Sequence, residues 1–480
     1  MSDTGVTVKK SQDFAEWYVE VILKAGFADY APVKGCMIVR EDAYAIWEKI
    51  QETFNRRIKA TGHRNVYFPM FIPESLLKKE AEHFAGFTPE VAWVSQGGDT
   101  ELEEKVAIRP TSETIMYATF SKWIRSWRDL PVKINQWCNI VRWETKSTRL
   151  FLRTREFLWQ EGHTAHATKE EAEEEVMYAL NEYRNIIENY LAIPVIAGVK
   201  SDSEKFAGAL YTTSLEAMMP DGKALQMGTS HNLGQNFGKV FDVTYIGEDK
   251  TDHYVWQTSW GISTRLIGAM VMVHGDDKGL VIPPKVAPTQ IVIIPIPFRG
   301  AEAALVVAKA KEIAETLKAK GFSIVLDDRQ EYTPGWKFNQ WELKGVPVRI
   351  EIGPRDLKQG QVVMVRRDSG QKIPIKEPDI SASAESLLVE IQGNLYAKAK
   401  ALMQEKTSSV QSYEEFKKIL CEKGGFLKAA WCGSGDCEAK IKDETGATIR
   451  VLPFEKEEPV SCCIYCGQKA KETAYFGRSY

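Results

Sequence analysis

The sequence predicts a multidomain α/β protein in three parts, and three observations carry that expectation. Two apolar, β-rich runs meet around an arginine-rich turn between Asn139 and Glu161 and read as a hairpin. From Pro288 onward strand and helix patterns alternate: helices at 301–320 and 333–344 lie among strands at 322–326, 346–352 and 361–367. That spacing predicts a mostly parallel sheet with helical covers. Five of the eight cysteines fall after residue 430 and mark a small tail with chemistry of its own. At 480 residues the chain is too long for one typical core, and 44% hydrophobic content fills two or three.

The elements follow in order. A helical pattern over Glu41–Ala60 puts Trp47, Ile50, Phe54 and Ile58 on one face; Gly62 is placed to stop it, and 66–68 reads as a strand ahead of Pro69. The apolar stripe could pack inside its own subunit or against a second copy, and periodicity does not separate the two. After the hairpin, a helix over 168–191 opens with a Thr168/Glu171 capping box. Ser259-Trp-Gly-Ile-Ser263-Thr-Arg265 then reads as a small-residue turn opening another helix. A helical connection over 383–403 leads to a polar stretch at Gln404, and a Ser412/Glu415 capping box opens the tail. Boundaries are expected near 284 and 405, giving domains 1–284, 285–404 and 405–480.

A net charge of -3 gives no global pull towards nucleic acid, so any such contact must come from local basic patches. The first ten residues lack the apolar core of a signal peptide, and no run is long and apolar enough to span a bilayer, which points to a cytoplasmic protein without membrane contact. No Gly-x-x-x-x-Gly-Lys-Ser/Thr phosphate loop occurs. Arginines can replace one: a guanidinium pairs bidentately with carboxylate or phosphate and stacks on a purine, as lysine does not. Arg142 and Arg153 on the hairpin and Arg265 downstream could grip the two ends of a triphosphate.

The order of helix, strand and Pro69 (motif 1, near 41–73), Arg142-Trp-Glu144 in the hairpin (motif 2, near 139–161) and the Arg265 stretch (motif 3, near 259–284) resembles the class II aminoacyl-tRNA synthetases. Arg109-Pro-Thr111-Ser-Glu113-Thr, Trp159-Gln-Glu161-Gly-His163, Lys205-Phe206 and Gln226-Met-Gly-Thr229-Ser-His231 resemble, within that class, the prolyl-tRNA synthetases of archaeal/eukaryotic type. The resemblance covers nearly the whole chain. It implies an antiparallel-sheet catalytic domain, an α/β anticodon-binding domain, a small α+β zinc-binding tail, and a homodimer joined at motif 1. The implied reaction is ATP- and magnesium-dependent attachment of proline to tRNA(Pro) through a prolyl-adenylate.

Residue by residue, the resemblance places Arg142 between the proline carboxylate and the α-phosphate, Glu144 near the adenine, and Arg153 and Arg265 at the β/γ end. Arg142 and Arg265 are the catalytic pair. Gln226 and Thr229 line the nucleotide site, with Gln226 near magnesium. Thr111 and Glu113 accept from the secondary ammonium; Trp159, His163 and Phe206 wall the ring; Glu161 orders that wall; His231 and Ser263 complete the pocket. Such aromatics and histidines taken singly more often pack a core. Lys146 and Arg149 face the tRNA acceptor end, Glu351 and Arg355 the anticodon, and the terminal Tyr480 carboxylate points towards the active site. The interval between Glu161 and Ser259 has no room for the editing insertion of bacterial-type relatives, so alanine, which a ring pocket rejects only through lost contact, should be activated measurably.

Among the cysteines, Cys36, Cys138 and Cys421 are scattered, as buried small hydrophobes often are. Cys432 and Cys437 form one knuckle; a second ends at Cys466, with either Cys462 or Cys463 as its partner. Cys463 is preferred for the Cys-x-x-Cys spacing, which is also the family's. Two knuckles in a chain expected in the cytosol favour one zinc with four thiolates, a closed shell with a structural role. Two other functions compete: a non-catalytic paralogue, which would most simply have lost Arg142, Glu144 or Arg265, and a class II ligase for threonine, histidine or glycine. The Thr111/Glu113 and 159–163 blocks favour proline. A class I enzyme is excluded, since neither a His-Ile-Gly-His-like nor a Lys-Met-Ser-Lys-Ser-like element is present.

Overall fold

The computed structural model describes residues 5–81, 90–143, 147–296, 301–459 and 461–480. Helix Glu41–Ala60 buries Trp47, Ile50, Phe54 and Ile58 within its own subunit: Phe54 stacks on Tyr183 at 5.3 Å and meets Trp137 and Trp260 edge-on. Gly62, at φ 88°, ends the helix. Its amide returns to the Lys59 carbonyl and the His63 amide to the Ile58 carbonyl, the paired bonds of a left-handed C-cap that favours glycine.

The strand expected at 66–68 does not form. Pairing falls instead at Arg64–Asn65, parallel to Val132–Val141, and resumes at Phe71–Pro73. Side chains take the backbone groups that a ladder would have used: Gln136 accepts the Phe68 amide, and the buried Arg109 donates to the Phe68 carbonyl at 2.7 Å.

The central sheet has eleven strands among the described residues. Its part built from residues 64–263 runs Ile196–Val199, Tyr211–Met218, Ala224–Gly234, Trp256–Ser263, Glu156–His166, Val132–Val141, Arg64–Asn65, antiparallel throughout except at the last pair. Helices Lys169–Asn185, with the expected Thr168/Glu171 box, and Arg265–His274 cover it. Residues 161–259 are all described. They consist of Lys169–Asn185, strands of this sheet, the short helix Asn236–Phe241 and a two-stranded hairpin, with no inserted domain.

The second region forms a five-stranded sheet in the order Ile324–Leu326, Ile291–Pro295, Val348–Ile352, Gln361–Arg366, Lys372–Lys376. The first three strands are parallel, the last two antiparallel, so the sheet is mixed rather than mostly parallel. The cause is the connection after Ile352. It holds only the short helix Pro354–Lys358, whereas a parallel return needs a longer crossover. Helix Ile380–Glu405 then crosses to the tail.

The tail is not a detached unit. Its strands, Thr407–Ser409, Phe426–Trp431, Glu472–Gly477 and Thr448–Pro453, continue the central sheet, because Leu452 and Pro453 pair antiparallel with Val199 and Gly198. Gly198 permits the joint: a Cβ there would lie 2.0 Å from the Leu452 carbonyl oxygen. Gly198→Ala should therefore strain the seam and destabilise the protein by about 1–3 kcal/mol, read as a lowered midpoint in chemical denaturation; an unchanged midpoint would show that the seam yields freely.

Candidate active site

A cavity of ≈ 250 Å³ opens on one face of the central sheet. Side chains alternate across a strand, so Trp159, Glu161 and His163 project together from Glu156–His166; Ser263, Gly261 and Ser259 stand opposite them in register, and all six line the cavity. Thr111 and Glu113 enter from the start of helix Glu113–Trp123, Phe206 from the loop before Tyr211–Met218, and Gln226, Thr229 and His231 from Ala224–Gly234. Arg142 and Arg265 close the remaining side.

An adjoining cavity of ≈ 300 Å³ shares Arg142, Phe157, Ser263 and Arg265 with the first and adds Arg153 and Tyr480. The arginines from distant parts of the chain therefore converge. Arg142 lies over the Phe157 ring at 5.7 Å and donates to the Pro110 carbonyl at 3.3 Å. Arg265, first residue of helix Arg265–His274, donates to the Leu152 and Gln226 carbonyls, both at 3.3 Å, while Arg153 is exposed. Burial and the like charge of Arg142, with smaller pushes from Arg450 and Arg153, bring the pKa of Arg265 down to about 10 against the pull of Glu216. An anion placed here would relieve that repulsion.

The closed end has the opposite character. Glu113, Glu161 and His163 are buried, with ligand atoms within 4.8 Å of one another. Thr111 donates to Glu113; Glu161 accepts from Ser112, from Gln136 at 3.0 Å and from His163 at 3.0 Å. Tyr117 meets the other nitrogen of His163 at 3.0 Å. Burial opposes ionisation of both members of the pair. Even so, the shared hydrogen bond and then the charges of Glu113 and Glu161 raise the His163 pKa above its ordinary value, and the same bond, the His163 charge and the bonds from Ser112 and Gln136 hold Glu161 below its own. His231 goes the other way: burial, then the His163 charge, lower it to about 3, leaving a neutral ring 4.8 Å from Phe206.

Some expected residues stand elsewhere. Glu144 and Lys146 lie outside the described residues. Arg149 is not a free hairpin tip, since it lies over the Tyr480 ring at 5.5 Å. Glu351 is buried and engaged by Arg349 at 2.8 Å and Lys372 at 3.2 Å, whereas Arg355 is exposed at the start of Pro354–Lys358. Among the described residues, no hydrogen bond or ion pair joins Glu351 to Arg355. The lining residues Phe157, Glu204 and Thr212 and the supports Ser112, Tyr117 and Gln136 had carried no role in the sequence. For Phe157 the two-residue spacing from Trp159 and Glu161 on one strand was an available signal; Glu204, Thr212 and Gln136 carried none.

In the tail, the sulfurs of Cys432, Cys437, Cys463 and Cys466 lie within 4.8 Å of one another, with Cys432 at 3.7 Å from Cys437 and 3.8 Å from Cys466. Four thiolates on a tetrahedral zinc at about 2.3 Å would be about 3.8 Å apart, so the set could hold such an ion. Cys462 is exposed and outside the group.

Family models match in the same order as these regions: "tRNA synthetase class II core domain (G, H, P, S and T)" over residues 93–274, "Anticodon binding domain" over 290–385, and "Prolyl-tRNA synthetase, C-terminal" over 413–480. The antiparallel sheet and its arginine-lined cavity are thus those of a class II synthetase core. The chain is 56% identical to the proline–tRNA ligase of Natranaerobius thermophilus, covering 98% of this chain and 97% of the relative. It is 54% identical to that of Cenarchaeum symbiosum, covering 99% of each, and 52% identical to proline–tRNA ligase 2 of Clostridioides difficile, covering 98% and 97%. The chain belongs to the proline–tRNA ligase family.

The Glu161–His163 pair makes stability depend on pH. The raised pKa of His163 stabilises the fold fully below its unfolded value near 6.5, and that contribution is lost as pH rises through the folded value. The lowered pKa of Glu161 contributes above about 4.5 and is lost as pH falls through its folded value. The advantage in Tm of the native chain over Glu161→Gln should therefore be greatest between about pH 4.5 and 6.5 and shrink as pH rises through the folded His163 value; a difference independent of pH would mean the pair is not ionic.

Proposed function

We propose that the protein attaches L-proline to tRNA(Pro) in two steps, through a prolyl-adenylate formed from ATP with release of pyrophosphate. The observation that carries this reading is the polarity of the double cavity: two carboxylates and an imidazole at the closed end, guanidinium groups at the open end. An amino acid is a zwitterion, and only one orientation suits that field, ammonium inward and carboxylate towards the nucleotide.

In this reading Glu113 and Thr111 accept the two N–H donors of the secondary ammonium, and Glu161 with His163 fixes their surroundings. Trp159, Phe206, His163 and His231 enclose the methylenes, with Ser263 at the rim. The carboxylate needs no activation as a nucleophile, because it is already ionised. What the protein supplies is alignment of two mutually repelling anions. Arg142 bridges the carboxylate and the α-phosphate, and Arg265 and exposed Arg153 take the β/γ end. Thr229 and Gln226 line the nucleotide site, where Gln226 would help hold a magnesium ion that neutralises phosphate charge.

Further assignments belong to the same reading. Residues 1–284 form the catalytic domain and 285–404 the anticodon-binding domain. Residues 405–480 form the tail, in which Cys432, Cys437, Cys463 and Cys466 would hold one structural zinc. Glu351 and Arg355, which opens out at the start of Pro354–Lys358, meet the anticodon, and Arg149 approaches the acceptor end. Two copies associate through motif 1, where Tyr67, Pro69 and Phe71 are exposed although the helix stripe is buried. No helix of the described residues is long and apolar enough to cross a membrane, which supports a cytoplasmic setting. With residues 161–259 built into the sheet, hydrolytic correction within this chain has no domain to house it.

Pyrophosphate exchange into ATP, run across the standard amino acids, tests the assignment. Proline should drive exchange, with alanine weaker by roughly 10–200-fold, and Arg142→Ala should cost about 10²–10³ in rate. Exchange with another amino acid and none with proline would overturn it. The metal assignment has its own readout: purified protein should carry one zinc per chain, retained by Cys462→Ser and lost by Cys463→Ser, and the reverse pattern would move the ligand to Cys462.

A further inference from the structure

The loop that brings Phe206 to the first cavity is held from outside the catalytic region. Strand Ile196–Val199 leads into residues 200–210, of which Glu204, Lys205 and Phe206 line the cavity. Its start is tied to the tail. The Ser201 hydroxyl donates to Glu438 at 2.7 Å, a bond between buried side chains 237 residues apart in sequence. Glu204 faces Lys442 at 3.7 Å and Arg450 at 4.0 Å. Glu438 and Lys442 stand on helix Gly435–Thr445, which also carries Cys437 of the four-cysteine group, and Arg450 stands on the strand Thr448–Pro453 that joins the central sheet.

From Ser201 the line of contacts runs into the pocket. The Phe206 amide donates to Thr212 at 2.9 Å, Thr212 meets His231 at 2.8 Å, and the Phe206 ring packs on His231. Arg153 lies on another element, and Gln226 stands five residues from His231, near the far end of its strand. A change in the Ser201–Glu438 contact therefore reaches the amino-acid end of the cavity before the nucleotide end.

We infer that Glu438, with Ser201 as its receiver, is a positioning residue for the amino-acid pocket: the cysteine helix of the tail clamps the 200–210 loop so that Phe206 is preset against the bound ring. The inference rests on the proposed function, and it gives the tail a part in substrate affinity in addition to its place in the sheet. Much of the cost of ordering the loop is met on folding rather than on binding, which is how preorganisation raises affinity. Breaking the clamp leaves the chemistry intact and returns that cost to the binding step.

Proline-dependent pyrophosphate exchange by the full-length enzyme tests this. Ser201→Ala and Glu438→Ala should each raise KM for proline about tenfold, the worth of one hydrogen bond to a charged group, with KM for ATP and zinc content unchanged within about twofold. Glu438→Gln, which keeps an acceptor oxygen, should restore most of the affinity, and the double variant should be no worse than the worse single one, as expected of two groups acting through one contact. Ser201 lies far from the cysteines in sequence and loses only a hydroxyl, so its variant reads the clamp even if Glu438→Ala is poorly folded. Variants with native KM for proline, equal changes in both KM values, or fully additive effects would overturn the clamp while leaving an active wild-type enzyme and its assignment standing. A wild-type enzyme without proline-dependent exchange would overturn both.

Discussion

Like charges forced together at Arg265 are the constraint around which the site is arranged. A half-buried guanidinium beside Arg142, with Arg153 and Arg450 close enough to matter, is costly, and desolvation and the like charges lower its pKa. Glu216, fully buried between Lys200 and Arg450, pulls the other way and limits that cost. Preorganised positive charge of this kind needs no rearrangement when an anion arrives, and it is worth more in a partly water-excluded cavity than at the surface. The backbone supplies the rigidity. Arg142 follows the last residue of one sheet strand, and Arg265 opens a helix immediately after another.

The opposite field at the closed end depends on the same sheet. Glu161 and His163 are two residues apart on one strand, so both point to one face, and Glu113 arrives at the start of a helix beside them. A buried ion pair is weak support for stability, because desolvation offsets attraction. Its use here is orientation: Ser112, Gln136 and Tyr117 hold the pair so that the direction of its dipole is fixed before any ligand enters.

Local features were legible in the sequence, and long-range ones were not. The helix Glu41–Ala60, its stop at Gly62, the capping box at Thr168 and the N-cap at Ser412 follow from residues within a few positions of one another; at the last, Glu415 accepts from the Gln411 amide instead of closing the expected box. The cavity residues could be named because they fall inside short motifs, and the sheet then gathers them. The strand expected at 66–68 failed because Arg109 and Gln136, distant in sequence, capture its backbone. The sheet of the second region came out mixed because strand direction is decided by connection length, which alternation alone does not encode. Nothing local announced that Leu452 would pair with Val199, or that Glu438 would reach Ser201.

Those last two pairings change how the tail should be regarded. A unit that were only a brace would need a surface to lean on, and its contacts would be exposed and polar. Here it continues the hydrogen-bonded ladder of the catalytic sheet, sends Arg450 into the buried charge network around Glu216, and ends with Tyr480 beside Arg149 at the mouth of the second cavity. Each of these contacts lands on an element that also lines or supports the site. Helix Gly435–Thr445, which carries Cys437, adds the contact from Glu438 to Ser201. The double cavity is therefore lined by residues 111–265 together with Tyr480 of the tail, and both parts belong to one hydrogen-bonded sheet.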